Sequence, residues 1–172
     1  MPVVAVSLRA PMQTDARALH ELAVASGNLD ANSRYAYLLV CSHFAKTSVV
    51  AESDGSVVGF VSGYRLPEDS ETLFVWQIAV EREHRGQGIA MAMLSALVEQ
   101  QLRRGLRFIE ATVSPGNAAS RRLFDGLARH FSAESTETSG YGTALFLPQV
   151  HDPEPLIRIG PFAAAFSRNG QL

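Results

Sequence analysis

The sequence predicts a mixed α/β fold: a central sheet of about seven strands flanked by about four helices. Three observations carry that expectation. β-branched runs on either side of Asp54-Gly55 (TSVVAE, 47–52, and VVGFVSGY, 57–64) give a hairpin signal. Strand-helix-strand units follow, and these need crossover connections. The whole order, β-α-α-β-β-β-α-β-α-β-β, combines both kinds of connection, which an all-parallel or an all-antiparallel sheet would not do.

Each element has a local reason. Val3 to Arg9 reads as a strand ended by Pro11, and Thr14 caps a helix through about Ala25, with Ala18, Leu22 and Ala25 on one face. Ser26-Gly27-Asn28 stops it. A second helix runs from Asn32 or Ser33 to about His43, with Tyr35, Leu38, Leu39 and Ser42 at i, i+3, i+4, i+7. After the hairpin, TLFVWQIAV (72–80) is a long strand rich in β-formers. A helix to about Arg104 places Ile89, Met93, Ala96 and Leu97 on one face, and Gly105 ends it. RFIEATV (107–113) is another strand, and Pro115-Gly116-Asn117 opens a helix with Ala119, Leu123 and Leu127 at four-residue steps. Weaker strand signals lie near 131–137 and 143–148. After Pro148 the composition shifts, and Pro153, Pro155 and Pro161 forbid regular helix, so 149–172 reads as an extended arm. The domain is expected to span 1–156, with 157–172 an extended, frayed tail.

Composition narrows the function. Of 172 residues, 47% are hydrophobic, enough for a core, and the net charge of −2 argues against a broadly basic nucleic-acid surface. A single cysteine, Cys41, permits no internal disulfide and sits among Leu38, Leu39 and Phe44 as a small hydrophobe. The five histidines show no metal-ligand spacing, so no metal is expected. No apolar run approaches membrane-spanning length and no signal peptide is evident, which fits a cytoplasmic protein.

The chemistry is concentrated in VEREHRGQGIAMAML (80–94). A loop holding Arg85, Gly86, Gln87 and Gly88 lies between a strand and a helix. Helix N-termini leave their first N–H groups unpaired and carry partial positive charge. Glycines let the backbone approach a ligand and take positive φ, and Arg85 adds a full charge. The target is a phosphate or pyrophosphate; the bland alternative is a solvated glycine turn. It is not a Walker loop, because Gly-Lys-Ser/Thr is absent, nor a dinucleotide fingerprint, because position 91 is Met.

The spacing Arg85-x-x-Gly88-x-Ala90, with its flanking strands and the Asn-led helix beyond, resembles the acyl-CoA signature of the GNAT superfamily of N-acetyltransferases over roughly residues 45 to 130. The resemblance implies a GNAT fold in which two strands splay and the acetyl-pantetheine arm enters between them. It implies that backbone groups of Ile78 and Val80 pair with that arm, and that N–H groups of Arg85, Gly86, Gln87, Gly88, Ile89 and Ala90 hold the pyrophosphate. Asn117 and Ser120 match positions that touch coenzyme A; Asn117 is also a natural N-cap.

A closer resemblance lies in SGNLDANSRYAYLLVCSHF (26–44), FVSGY (60–64), TLFVWQIAV (72–80) and ATVSPGNAASRRLF (111–124). Together these look like the diaminobutyrate acetyltransferases of ectoine biosynthesis, over nearly all of 7–156. The family implies acetyl transfer from acetyl-CoA to the 4-amino group of L-2,4-diaminobutanoate, osmotic-stress solute synthesis, and a homodimer. It points to Asp30, Tyr35, Trp76, His151 and Glu154 as the substrate pocket. Each has a bland alternative: Asp30 as a turn residue, Trp76 as core, Tyr35 as packing, His151 and Glu154 as solvated arm.

The implied step is attack of a neutral amine on the thioester, with Trp76 walling the pocket and a backbone N–H near Ile78 polarising the carbonyl. Two superfamily features are missing. Thr112 stands where some members carry a glutamate base, and Phe124 where a tyrosine often protonates the leaving thiolate; Tyr141 is a distant substitute. Other readings are a non-catalytic acyl-CoA sensor and a peptide acetyltransferase.

Overall fold

The computed structural model describes residues 6–163. Seven strands form one sheet in the order β1-β2-β3-β4-β5-β7-β6. They are β1 (Ser7–Arg9), β2 (Val49–Ser53), β3 (Ser56–Leu66), β4 (Asp69–Val80), β5 (Phe108–Thr112), β6 (Ser135–Tyr141) and β7 (Glu154–Ile159). Only β4 and β5 run parallel, joined through α3 (Ile89–Leu102); every other neighbour is antiparallel. Two layers cover the sheet. On one face α3 and α4 (Ala118–His130) enclose Leu73, Val75, Met93, Leu97, Ile109, Leu127 and Ile159. On the other, α1 (Ala16–Ser26) and α2 (Arg34–His43) enclose Leu19, Tyr37, Val40, Phe60 and Ala79.

The helix faces of this second layer differ from the sequence expectation. In α1 the buried residues are Ala16, Leu19 and Ala23, and in α2 they are Tyr37, Val40 and Cys41. Tyr35 and Leu38 are exposed. The cause is visible in RYAYLLVC: the helix is apolar nearly all round, so two faces satisfy the same i, i+3, i+4 rule. Ser33, not Asn32, caps α2, its hydroxyl accepting from the Ala36 N–H. Cys41 is buried as expected, and burial pushes its thiol up to about 11.

The larger departure is the arm. Residues 154–159 form a strand inserted between β5 and β6, pairing Ile109 with Ile159 on one side and Thr138 with Leu156 on the other. The sheet therefore continues past residue 156, and Phe162 packs into the larger core. The prolines are accommodated locally. Pro155 is the one strand residue with no N–H to donate, and β6 bulges opposite it, between Thr138 and Tyr141. Gly140 forms that bulge at φ 55°; a Cβ there would lie 2.1 Å from the Glu154 carbonyl oxygen. The expected strand at 143–148 is instead a 3-10 turn, Thr143–Phe146. The frayed end assigned to the tail falls in 164–172, outside the described residues.

At the far edge, Arg9 on β1 clasps Asp15 through two hydrogen bonds of 2.7 and 3.0 Å, and Asp15 also accepts from the Met12 N–H. The Arg9 guanidinium holds the Asp15 carboxyl below the usual carboxylate range. A depressed folded pKa gives stability that is full above the unfolded value of about 3.9 and lost as pH falls through the folded one. Asp15→Asn is accordingly expected to cost about 2 kcal/mol at neutral pH and to shrink the acid-side loss. Urea midpoints measured from pH 7 to 3 check both; parallel wild-type and variant profiles would contradict it.

Candidate active site

The site begins with a break in the sheet. β4 and β5 pair only at Thr72–Phe108, Leu73–Ile109 and Phe74–Glu110. Beyond Phe74 the two strands part, and Val75 to Val80 face a gap. The backbone direction follows from the alternation of strands. The Glu81 N–H donates to the Val58 carbonyl of β3, so the N–H and C=O groups of Ile78 and Val80 point the other way, into the gap. The Val80 carbonyl there accepts from Arg85 Nε at 3.0 Å.

β4 also carries a bulge. Ser62 pairs with Gln77 but Gly63 pairs with Val75, which leaves Trp76 as an extra residue. The inward face changes parity across it: Leu73 and Val75 pack on the α3 side before the bulge, Ile78 and Val80 after it. Trp76 is thereby 41% exposed in the cleft, not core. A bulge of this kind gives no signal in TLFVWQIAV, where every residue is a plausible strand former.

A cleft of about 820 Å³ occupies the gap and the space above it. Of the residues implied for the substrate, it is lined by Asp30, Trp76, His151 and Glu154, brought together from the α1–α2 loop, the β4 bulge and the approach to β7. Tyr35 is not among its lining; it lies on the outward face of α2, 68% exposed. The cleft also takes in Asn28, Tyr64, Thr112, Phe124 and Tyr141. Tyr64 was missed in the sequence, although its place at the end of FVSGY, on the strand beside β4, was the available signal. Burial, with Tyr141 nearby, raises the Tyr64 phenol above its ordinary range, so it stays protonated at neutral pH. Glu110 does not line the cleft: its carboxylate pairs with Arg158 on β7.

His151 has a defined ring orientation. It stacks on Phe146, with centroids 4.1 Å apart at 16°, and its Nδ1 is 2.6 Å from the Asp152 carbonyl oxygen. A carbonyl only accepts, so Nδ1 carries a proton and Nε2 of the neutral ring is an acceptor.

A second cavity of about 420 Å³ continues from the first through Asn28, Leu29, Ile78, Asn117 and Ser120, which line both. Val80, Arg85, Gly86, Gly88, Ile89 and Ala90 line it; Gln87 does not, its amide donating to the Glu83 carbonyl. Gly86 and Gly88 take φ of 76° and 78°. Nothing lies within 4 Å of a Cβ built on either, so backbone conformation and not crowding requires glycine. Gly88 is the N-cap of α3, without a side-chain cap and with no acidic residue in the first turn. The first helical N–H groups are thus left for a ligand. Arg122 of α4 lines the same cavity and adds a cation that the sequence reading did not single out. The Asn117 side chain accepts from the Ser120 N–H at 3.1 Å, so it does cap α4 while lining both cavities.

A gap between parting parallel strands, leading to an uncapped, glycine-started helix, defines an acyltransferase that takes its acyl group from coenzyme A. Residues 12–127 match the acetyltransferase (GNAT) family. Over 156 residues, 90% of this chain, it is 47% identical to the L-2,4-diaminobutyric acid acetyltransferase of Bordetella parapertussis, covering 84% of that protein. It is 42% identical to the enzyme of the same name from Virgibacillus pantothenticus, covering 90% of this chain and 98% of that one. Among solved structures it superposes on the diaminobutyrate acetyltransferase EctA of Paenibacillus lautus, captured with its substrate L-2,4-diaminobutyric acid and coenzyme A. There the TM-score is 0.89 at 48% identity, with 94% of this chain and 98% of that chain covered. The chain belongs to the GNAT acetyltransferases and, within them, to the L-2,4-diaminobutyric acid acetyltransferase family.

Proposed function

We propose that the protein transfers the acetyl group of acetyl-CoA to the 4-amino group of L-2,4-diaminobutanoate, giving N4-acetyl-L-2,4-diaminobutanoate for ectoine synthesis in the cytoplasm. The observation that carries this reading is the placement of two carboxylates, Asp30 and Glu154, around the cleft that opens where β4 and β5 part. A diamino acid brings two ammonium groups, and acidic side chains hold one while the other, deprotonated, meets the thioester.

The donor fits the residues present. The α3 N-terminus and the Arg85–Ala90 loop suit the diphosphate, with Arg122 supplying further charge, and Asn117 and Ser120 border the passage to the cleft. The backbone N–H and C=O of Ile78 and the N–H of Val80, which point into the gap, suit the pantetheine amides. In the transfer, the amine nitrogen forms the C–N bond, the tetrahedral oxygen takes a hydrogen bond from a β4 N–H at Ile78, and the C–S bond breaks. The amine first loses a proton, since a free alkylammonium has a pKa of about 10. His151 Nε2 is the acceptor we assign, because its tautomer is fixed by Asp152. The thiolate takes a proton from a phenol, Tyr64 or Tyr141, in place of the residue that Phe124 replaces, and the second proton that the acylated nitrogen sheds restores the phenol. Trp76 walls the reacting centre.

Offering 2,4-diaminobutyrate, lysine, ornithine and putrescine with acetyl-CoA, and reading products by mass spectrometry and NMR, tests the proposal. N4-acetyldiaminobutyrate as the main product is expected. Binding of CoA without amine-dependent thiol release would favour a sensor, and activity confined to peptides a peptide acetyltransferase. We further propose a homodimer, supported by the exposed apolar side chains Leu145, Leu147 and Val150 between β6 and β7. Light scattering at twice the 18.6 kDa chain mass is the expected result.

A further inference from the structure

The α1–α2 loop, residues 27–33, carries Asp30 into the cleft without any regular secondary structure of its own. Leu29 packs partly against the smaller core. Its other hydrogen bonds are local: Ser26 Oγ accepts from the N–H groups of Asn28 and Leu29, and the Asn32 amide reaches back to the Asp30 carbonyl at 3.4 Å. One bond among the described residues ties this loop to the sheet. Gln77 Nε2, on β4 next to Trp76, donates to the Asp30 carbonyl oxygen at 3.0 Å.

Gln77 is itself held. Its side chain is buried, and its Oε1 accepts from the hydroxyl of Tyr37 on α2 at 3.0 Å. Tyr37 is 2% exposed and wedged edge-on between the rings of His20 and Phe60, so its hydroxyl has no access to water and must donate inside the protein. That donation turns the amide oxygen toward α2 and therefore the NH2 toward Asp30. The bridge needs a group that accepts at one end and donates at the other, which among side chains of this length only glutamine provides. A glutamate would set a carboxylate against the Asp30 carbonyl oxygen, and methionine would leave both the hydroxyl and the carbonyl unmet.

We propose that Gln77 is a positioning residue for amine recognition: its carboxamide pins the Asp30 backbone to β4, so the Asp30 carboxylate meets the substrate already in place. This rests on the assignment of Asp30 to the diamino substrate. A pinned loop loses less entropy when the amine binds, so the effect belongs in amine affinity and not in donor binding. Gln77 borders the large cleft and is not among the residues lining the cavity beside the α3 N-terminus.

The test compares wild type with Gln77→Glu, Gln77→Met and Tyr37→Phe in steady-state kinetics and in hydrogen–deuterium exchange of peptides spanning 27–33. For Gln77→Glu and Gln77→Met, the expected result is a rise of about tenfold or more in KM for diaminobutanoate, with kcat and the acetyl-CoA KM within about twofold. Faster exchange in 27–33 should accompany it. Tyr37→Phe, which only unfixes the amide, should move both readouts in the same direction by less. Unchanged exchange overturns the clamp, and faster exchange with an unchanged amine KM overturns the positioning role. Equal losses in amine and donor KM also overturn it, since a purely structural defect would act on both. If wild type fails to acetylate diaminobutanoate, the substrate reading fails alone, because loop exchange in the variants still decides whether Gln77 holds 27–33. Should Gln77→Glu not fold, Gln77→Met and Tyr37→Phe carry the comparison.

Discussion

Asp30→Ala is expected to lower kcat/KM for L-2,4-diaminobutanoate by about 100-fold while CoA binding stays within about twofold of wild type. The size follows from the type of contact. A charge-assisted hydrogen bond enclosed by the closing ligand contributes about 3 kcal/mol, and each 1.36 kcal/mol is about a factor of ten. The selectivity follows from position: Asp30 lines the large cleft but not the cavity beside the α3 N-terminus. Coupled thiol-release kinetics together with CoA calorimetry separate the two. Unchanged turnover of diaminobutanoate would remove Asp30 from the site.

Gly88→Val is expected to do the converse: to weaken CoA binding by about 30-fold or more while the chain still folds. Gly88 starts α3 at φ 78°, a region that costs an ordinary L-residue about 1–2 kcal/mol and a β-branched one more. Relief of that strain turns the local peptide planes, so the first N–H groups of α3 no longer converge on one point. A Cβ at this position meets nothing within 4 Å, so the core below is undisturbed. Calorimetry of CoA binding, with circular dichroism as a control for folding, gives the answer. Native-like affinity in the folded variant would show that the loop does not grip the diphosphate.

These two residues also mark what could be read in advance. The Arg85–Ala90 loop was legible because its signal is chemical: glycine and arginine in that order have little packing purpose, and the structure puts the loop at a helix N-terminus with both glycines in positive φ. The hairpin around Asp54-Gly55 was legible because its turn chemistry is local. The bulge at Trp76 was not, since it arises from register between two strands that the sequence does not align. The buried faces of α1 and α2 were hidden by helices that are apolar on several sides. Residues 154–159 were misread because three nearby prolines outweighed the alternation of Leu156-Ile157-Arg158-Ile159, in which Ile157 and Ile159 face the core. Gln77 was passed over because a glutamine inside a strand has no distinguishing pattern until its two partners are seen.

The threading of β7 between β5 and β6 also constrains how the molecule comes into being. During synthesis β6 leaves the ribosomal tunnel before β7, yet among the described residues its only neighbour in the sheet is β7. The nascent chain therefore holds β5 with an open edge until residues 154–159 emerge, and only then does Glu154 reach the cleft. A chain truncated short of Glu154 would lack the strand that pairs with both β5 and β6, and would leave the β5 edge exposed.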